Sequence, residues 1–169
     1  MKHSALVIID LQRGIKGLFK KVQPYTWEQV LTNNEQLIQK FISHGAPIYL
    51  VSVQPSFFPG AMKQKFGSLL LAEKRTSPLI KSVIKTGPSM FGNSTYDLAK
   101  ELSEQGIKEI FLTGVSTSNG VLKTAKDGQK LGFDISIIED ACSDRKRASH
   151  DQSIEQLAQF AKICQTTDF

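Results

Sequence analysis

The chain has 169 residues, a hydrophobic content of 40% and a net charge of +5 at pH 7, which is ordinary for one globular domain spanning residues 1–169. No apolar run approaches the roughly 18 to 20 residues that cross a bilayer, and the N-terminal segment lacks a secretory cleavage pattern, so we expect no membrane partner and a cytoplasmic protein. The basic residues fall in small groups without a nucleic-acid module, which indicates a solvated basic surface rather than a nucleic-acid interface and is compatible with anionic small molecules as ligands.

Strand-like and helix-like patterns alternate along the first half of the chain. Residues 4–10 (SALVIID) form a short apolar run typical of a strand that is buried on both faces. A helix is predicted over residues 27–44, where Thr26 and Gln29 make a capping box and Gly45 ends the helix. Residues 47–53 (PIYLVSV) and 79–84 (LIKSVI) are the second and third predicted strands.

The second half continues the same alternation. Ser94 begins a predicted helix that ends at Gly106, with Asp97 at its third position, and a fourth strand follows over 107–113. The remaining predicted elements are a helix over 118–131, a strand over 133–139, a helix over 149–161 and a sixth strand in the tail KICQTT. The alternation predicts a three-layer α/β/α fold with a mostly parallel, Rossmann-like sheet of about six strands.

Polar residues follow the predicted strands, at the edge where open parallel sheets bind their ligands. They are Asp10, Gln54, Lys85, the turn over 114–120, and Asp140. Because the carboxyl ends of parallel strands meet at one edge of the sheet, this pattern predicts a pocket there.

Asp10 and Lys85 are the candidate chemical groups at this edge. Asp10 is either a turn carboxylate or a general acid or base, whose pKa apolar surroundings would raise and a cation would lower. Lys85 supplies a candidate cation for it.

The turn TGVSTSNGV lies between the fourth strand and the next predicted helix. Backbone amides of about residues 118–121 at a helix N-terminus favour an anion or a developing oxyanion, although an ordinary capped helix start would also have this sequence. A thiol at position 120 would be an activated nucleophile there, and Gly120 cannot fill that role. The hydroxyls of Ser116, Thr117 and Ser118 have no histidine close in sequence to activate them.

The cysteines and histidines do not predict a metal site. Cys142 and Cys164 match no metal-ligand spacing, and Cys142 is predicted to be a small buried residue. The histidines are scattered, at His3, His44 and His150. We therefore expect neither a protein-bound metal nor a cofactor.

Four segments of the chain resemble the isochorismatase-like (cysteine hydrolase) superfamily over nearly the full length. They are ALVIIDLQ, IKTGPSMFGNS, LTGVSTSNGVLKTAKDGQKLGF and IIEDACSD, of which the third is the most specific.

The resemblance assigns roles to individual residues. The family's catalytic aspartate matches Asp10, its lysine Lys85 and its nucleophilic cysteine Gly120, so this chain lacks the family nucleophile. The serine and phenylalanine that follow the lysine match Ser89 and Phe91, and a cis peptide is expected at Val115–Ser116. The resemblance further implies a homo-oligomer and a substrate pocket that includes Gln54, Ser116, Thr117 and Asn119.

Gly120 separates the branches of this superfamily. Amide hydrolysis in the family proceeds through a thioester, which glycine cannot form. The isochorismatase branch hydrolyses a vinyl ether by protonating the enol carbon and adding water, and it tolerates loss of the cysteine. The resemblance therefore implies a small-molecule hydrolase with Asp10 as general acid, oriented by Lys85, and isochorismate as a possible substrate. Here Lys85 is followed by Thr86 and Gly87, whereas that branch typically has an aromatic residue and an arginine.

Two alternatives remain open at the level of the sequence. The first is a catalytically inactive relative that binds a small ligand or a protein through the same pocket. The second is covalent catalysis through a hydroxyl of Ser116, Thr117 or Ser118, or through the thiol of Cys142.

Overall fold

The computed structural model describes residues 1–71, 77–92 and 97–169. Its centre is a six-stranded sheet in the order β3-β2-β1-β4-β5-β6, and every neighbouring pair is parallel. The strands are β1 (Ser4–Ile9), β2 (Ile48–Val53), β3 (Ile80–Lys85), β4 (Glu109–Val115), β5 (Asp134–Ser143) and β6 (Lys162–Cys164). The predicted six-stranded Rossmann-like sheet is therefore confirmed.

Helices cover the sheet and fill the connections between its strands. They are α1 (Arg13–Leu18), α2 (Trp27–Ser43), α3 (Gly60–Gly67), α4 (Leu98–Glu104), α5 (Leu122–Lys130) and α6 (Arg147–Leu157). A π-helical turn (Thr117–Val121) precedes α5, and a 3-10 turn (Thr166–Asp168) follows β6. Within the described ranges no helix is long and apolar enough to cross a membrane.

β1 is buried on both faces, as its unbroken apolar run predicts. Ala5, Val7 and Ile9 contribute to one hydrophobic core, whereas Leu6 and Ile8 contribute to a second core on the other side of the sheet. The second core includes Val30, Leu37, Ile38 and Phe41 from α2. These two cores make the three layers of the fold.

Local sequence signals fix the ends of α2. The Thr26 side chain accepts from the backbone N–H of Gln29, and the Gln29 side chain accepts from that of Thr26, so the predicted capping box is confirmed. The helix ends at Ser43, and Gly45 follows with φ of +65°, a left-handed conformation that favours glycine.

The fifth strand is longer than predicted, and this corrects the position of Asp140. β5 runs on to Ser143, with a register shift against β4 between Leu112 and Gly114. Asp140 therefore lies within the strand, and its Oδ1 accepts from the N–H and hydroxyl of Thr166. The residue expected at the pocket instead holds the C-terminal turn.

Other boundaries also differ from the prediction. Ser94 lies outside the described residues, and Asp97 is the N-cap of α4, where its side chain accepts from the N–H of Lys100. Lys85 is the last residue of β3 rather than the first residue after it. The short helices α1 and α3 were not predicted, because six and eight residues carry too little periodicity to be recognised.

The strand order reverses at β1, since β2 and β3 lie on one side of it and β4, β5 and β6 on the other. The connections that leave β1 and β4 therefore diverge, and a crevice opens at the carboxyl ends of these strands. Asp10 follows β1 directly, and the π-helical turn follows β4.

Candidate active site

Asp10 and Lys85 form a buried ion pair at this crevice. The Nζ of Lys85 donates to Oδ2 of Asp10 at 2.8 Å, and the side chains are 1% and 8% exposed, respectively. β2 lies between β1 and β3, so the Lys85 side chain reaches across the end of β2 to meet Asp10. Lys85 Nζ also donates to the carbonyl oxygens of Gly87 (3.2 Å) and Pro88 (2.8 Å), which fix its position.

The environment of Asp10 favours the protonated carboxyl more than water does. Burial raises the pKa of Asp10 to about 6, and the attraction of Lys85 lowers it by less than burial raises it. Oδ1 of Asp10 is buried and has no hydrogen-bond partner among the described residues. Asp10 is thus an acid with one oxygen committed to Lys85 and the other available to a substrate.

Gly120 lies directly beside this pair. A Cβ atom at this position would stand 3.1 Å from Oδ2 of Asp10 and 3.7 Å from Nζ of Lys85. It would also stand 2.7 Å from Cγ2 of Ile9, closer than side chains normally pack. The structure therefore brings together the three residues that the sequence singled out, with no side chain at position 120.

The π-helical turn that carries Gly120 is anchored from behind. The expected cis peptide is present at Val115–Ser116. The Thr117 hydroxyl is buried, donates to the carbonyl oxygen of Ser143 at 3.0 Å and lies 2.9 Å from Nδ1 of His150. The N–H of Ser118 donates to Oδ2 of Asp144 at 2.7 Å.

These contacts reduce the number of backbone N–H groups that remain for the expected anion site. Of the amides of residues 118–121, the N–H of Ser118 is taken by Asp144, and those of Asn119 and Val121 donate to the carbonyl oxygen of Ser116 at 3.2 Å. Three of the four donors are therefore used within the protein. The turn is ordered by its own hydrogen bonds, which weakens the expectation of a multi-donor oxyanion site here.

A cavity of about 280 Å³ opens above Asp10 and Lys85. Ser116 and Asn119 line it from the turn. Its walls are largely apolar and come from α1, the ends of β2 and β4, and the loops after α1, β2 and β3: Ile15, Phe19, Val53, Pro55, Phe57, Thr86, Gly87, Pro88 and Val115. A largely apolar cleft with a few convergent polar groups is the usual form of a small-molecule site.

Gln54 and Thr117 are placed differently from the other candidates. The side chain of Gln54 lies against Gly67 of α3, where a Cβ atom would come within 2.6 Å of its Nε2. The Thr117 hydroxyl faces Ser143 and His150. Their roles in substrate binding stay predictions.

Both cysteines are buried. Cys142 lies in β5 opposite Gly114 of β4, and burial raises the pKa of its thiol. Burial also raises the pKa of the Cys164 thiol in β6. A buried thiol with a raised pKa is a poor nucleophile, which agrees with the prediction of a structural Cys142.

Sequence reasoning did not identify three residues that hold the site together. The Gln12 side chain is fully buried; it accepts from the N–H of Val53 and donates to the carbonyl oxygens of Val53 and Phe66. Asp144 and His150 hold the turn from behind, as described above. Their positions in sequence carry no signal, because each acts through contacts with distant segments.

No set of metal ligands is present beside Asp10 and Lys85 among the residues that the structure describes. The stretch after β2, QPSFFPG, contains no histidine or carboxylate. In the part of the chain that the structure describes, no three His, Cys, Asp or Glu side chains come together as metal ligands would. The residues described at this site therefore do not fit a metal ion.

Comparison with known proteins agrees with this architecture. A family model described as "Isochorismatase domain" matches residues 4–168. The uncharacterized isochorismatase family protein YecD of Escherichia coli O157:H7 is 33% identical, over 92% of this chain and 88% of that protein.

Solved structures show the same fold. A protein of the isochorismatase family from Burkholderia thailandensis superposes with a TM-score of 0.86 at 24% identity, covering 99% of this chain and 94% of that one. The nicotinamidase PncA of Bacillus subtilis gives a TM-score of 0.80 at 21% identity, covering 96% and 99%. The family match over almost the whole chain decides the assignment: the chain belongs to the isochorismatase family.

Proposed function

We propose that this protein is a small-molecule hydrolase that cleaves a vinyl ether, such as isochorismate, by general-acid catalysis without a covalent intermediate. The observation that carries the proposal is the Asp10 carboxyl, which is buried at the base of a cavity, has a pKa of about 6 and has one oxygen without a hydrogen-bond partner among the described residues. A general acid works best when its pKa lies near the working pH.

The proposed reaction uses the Asp10 proton and one water molecule. Asp10 donates its proton to the terminal enol carbon, and a new C–H bond forms as the C=C bond becomes an oxocarbenium ion. Water adds to the oxocarbenium carbon and returns a proton to the Asp10 carboxylate. The hemiketal hydroxyl gives up its proton and the departing ether oxygen gains one as the C–O bond breaks, which releases a ketone and an alcohol.

Lys85 supports this step by its position. Its ammonium group is held by the carbonyls of Gly87 and Pro88 and stabilises the carboxylate that Asp10 becomes after proton transfer. Gly120 agrees with an acid mechanism, because position 120 has no side chain beside the carboxyl to act as a nucleophile. The buried Cys142 thiol offers no substitute.

The proposal is tested by turnover of a panel of vinyl ethers and small amides. We expect hydrolysis of a vinyl ether, no hydrolysis of amides, and a loss of about 10²- to 10⁴-fold in kcat in Asp10→Asn. Asp134→Asn is the matched control, because Asp134 is exposed and lies at the opposite end of the parallel strands, and it should leave kcat unchanged. Equal activity of Asp10→Asn and wild type would refute the role of Asp10.

Non-catalytic binding is the competing function, and the absence of a nucleophile at position 120 favours it. It predicts that a ligand raises the melting temperature without being consumed. Covalent catalysis by a hydroxyl predicts a mass adduct on the intact protein during turnover. Product formation with an unmodified protein mass would exclude both non-catalytic binding and covalent catalysis by a hydroxyl.

A further inference from the structure

A second cavity lies beside α5, outside the Asp10 site. Its volume is about 400 Å³. One wall belongs to α5 and consists of Lys123, Lys126, Asp127 and Lys130. The facing wall belongs to the loop after β3 and consists of Gly87, Pro88, Ser89 and Gly92. We call this cavity the lysine groove.

The lysine groove is distinct from the Asp10 cavity. Among the residues that the structure describes, neither Asp10 nor Lys85 lines the groove, and no lysine of α5 lines the Asp10 cavity. Gly87 and Pro88 line both, so the loop that contains them separates the two cavities. A ligand in the groove would therefore not compete for the carboxyl of Asp10.

The spacing of the three lysines places their charges on one side of α5. Residues separated by three, four and seven positions share a helix face, as Lys123, Lys126 and Lys130 do. At 1.5 Å of rise per residue, the row extends over roughly 10 Å of the helix axis. Like charges at these spacings repel each other and destabilise a helix, so the row would be stabilised by an anion that lies along it.

Most of this charge is not neutralised by the protein. Within the described ranges, no carboxylate lies within ion-pair distance of Lys123 or Lys126. The Nζ of Lys126 lies 3.4 Å from the amide oxygen of Gln156, which is a neutral group. Asp127 is the acid that lines the groove, and its Oδ1 lies 3.9 Å from Nζ of Lys130. Three lysines and one aspartate leave the lining with a net charge of +2.

Both walls of the groove are held in place by contacts within the protein. The N–H of Met90 donates to the buried hydroxyl of Thr124 at 3.1 Å, which joins the loop to α5. The ring of Phe91 stacks on that of Phe133, with 5.9 Å between the centroids. Lys85 fixes the start of the loop through its hydrogen bonds to two loop carbonyls. Fixed walls reduce the entropy that is lost when a ligand binds.

We propose that the lysine groove binds the polyphosphate chain of a small molecule. Lysine ammonium groups bind phosphate as point charges on flexible stems, and a row of three matches a chain of linked phosphates better than one compact anion. The loop wall, residues 86–92, contains no acidic residue that would repel such a chain. Inorganic polyphosphate and a nucleoside triphosphate share this chemistry.

Calorimetry with inorganic tripolyphosphate at low ionic strength tests the proposal. We expect saturable binding to one site, weakened about 10-fold or more in the double variant Lys123→Gln, Lys126→Gln. The double variant Lys20→Gln, Lys21→Gln is the matched control. It removes the same charge from exposed residues that follow α1, which packs against the second core on the other side of the sheet. This control should change the Kd by no more than about threefold.

Asp127→Asn should change the affinity in the opposite direction. The substitution removes the negative charge from the lining and frees Lys130 from its acidic neighbour, so tripolyphosphate should bind about two- to fivefold more tightly. Glu28→Gln is the control for this change, because Glu28 is an exposed acid in α2, which contributes to the second core. It should leave the Kd unchanged.

ATP distinguishes the two sources of the phosphate chain. Equal Kd values for ATP and tripolyphosphate would support a site for the chain alone, and tighter binding of ATP would support a nucleotide site. Both depend on Lys123 and Lys126 if the proposal is correct.

Four results would overturn the proposal. No saturable binding would exclude the site, and equal losses in the two lysine double variants would mean general attraction to a basic protein. A change of more than threefold in Asp10→Asn would place the ligand in the Asp10 cavity. Tighter binding of a single-stranded oligonucleotide through the same lysines would replace the small molecule by a nucleic acid. Because these are binding measurements, they do not depend on turnover at Asp10.

Discussion

At the residue scale, the site depends on one acid and one absent side chain. Asp10 is buried beside Lys85, and its Oδ1 has no hydrogen-bond partner within the part of the chain that the structure describes. Gly120 places no side chain next to that carboxyl, and the side chain of Ile9 packs close to the position that a Cβ atom would take. Both residues were predicted from sequence, because strand ends and the family resemblance point to single positions.

Gly120→Ala should be destabilising. The added methyl group would stand 2.7 Å from Cγ2 of the buried Ile9, and the packed core must shift to accept it. We expect the free energy of unfolding to fall by about 1 to 3 kcal/mol, measured by urea denaturation.

Gly17→Ala is the matched control for this substitution. Gly17 lies in α1, and a Cβ there would meet nothing within 4 Å. Because alanine favours helix over glycine, Gly17→Ala should raise the free energy of unfolding by about 0.5 to 1 kcal/mol. Equal stability changes in the two variants would contradict the close packing at position 120.

At the element scale, the π-helical turn is positioned by β5 and α6 as much as by its own sequence. Thr117 reaches Ser143 at the end of β5 and His150 in α6, and Ser118 reaches Asp144. Burial lowers the pKa of His150, which favours the neutral ring, while the nearby Glu139 carboxylate opposes this. The site is thus supported by a polar layer behind it.

Thr117→Val should weaken that support. The substitution keeps the branched shape and removes the hydroxyl, which leaves the carbonyl of Ser143 and Nδ1 of His150 unsatisfied in a buried place. We expect a loss of about 1 to 3 kcal/mol in the free energy of unfolding.

Ser118→Ala provides the comparison on the same turn. Ser118 is exposed and uses its backbone N–H, not its hydroxyl, to reach Asp144. The change should stay within about 0.5 kcal/mol. If Thr117→Val were equally mild, the buried contacts of its hydroxyl would not support the turn.

Elements with strong periodicity could be predicted from sequence, and the supporting contacts could not. The six strands and α2 follow from apolar runs and a capping box. Asp140 was predicted to follow β5, but it lies within this strand. After the register shift, β5 pairs with β4 again at Cys142 and Ser143, and no local sequence pattern shows such long-range pairing. Gln12, Asp144 and His150 were missed for the same physical reason, since each bonds to segments distant in sequence.

At the scale of the whole molecule, Asp10 couples folding to pH. Its pKa rises from 3.8 to about 6 on folding, so its contribution to stability is present at low pH and is lost as the pH rises through 6. His150 acts in the opposite direction, because its pKa is lowered on folding and stability is lost as the pH falls below 6.5.

Asp10→Asn isolates the first of these effects. Between pH 4 and pH 7, the free energy of unfolding of the wild type should fall by about 2 kcal/mol relative to that of Asp10→Asn. Chemical denaturation of both proteins across this range measures the difference. If the wild type instead became more stable relative to Asp10→Asn as the pH rises, Lys85 would hold Asp10 ionised in the folded state.

The pH dependence of kcat/KM for a vinyl-ether substrate tests the central claim most directly, because this ratio reports the ionisation of the free enzyme. With Asp10 as a general acid of pKa about 6, kcat/KM should be constant below that pH and fall tenfold with each further pH unit. A value of kcat/KM that stays level or rises between pH 6 and pH 8 would contradict an acid role for Asp10.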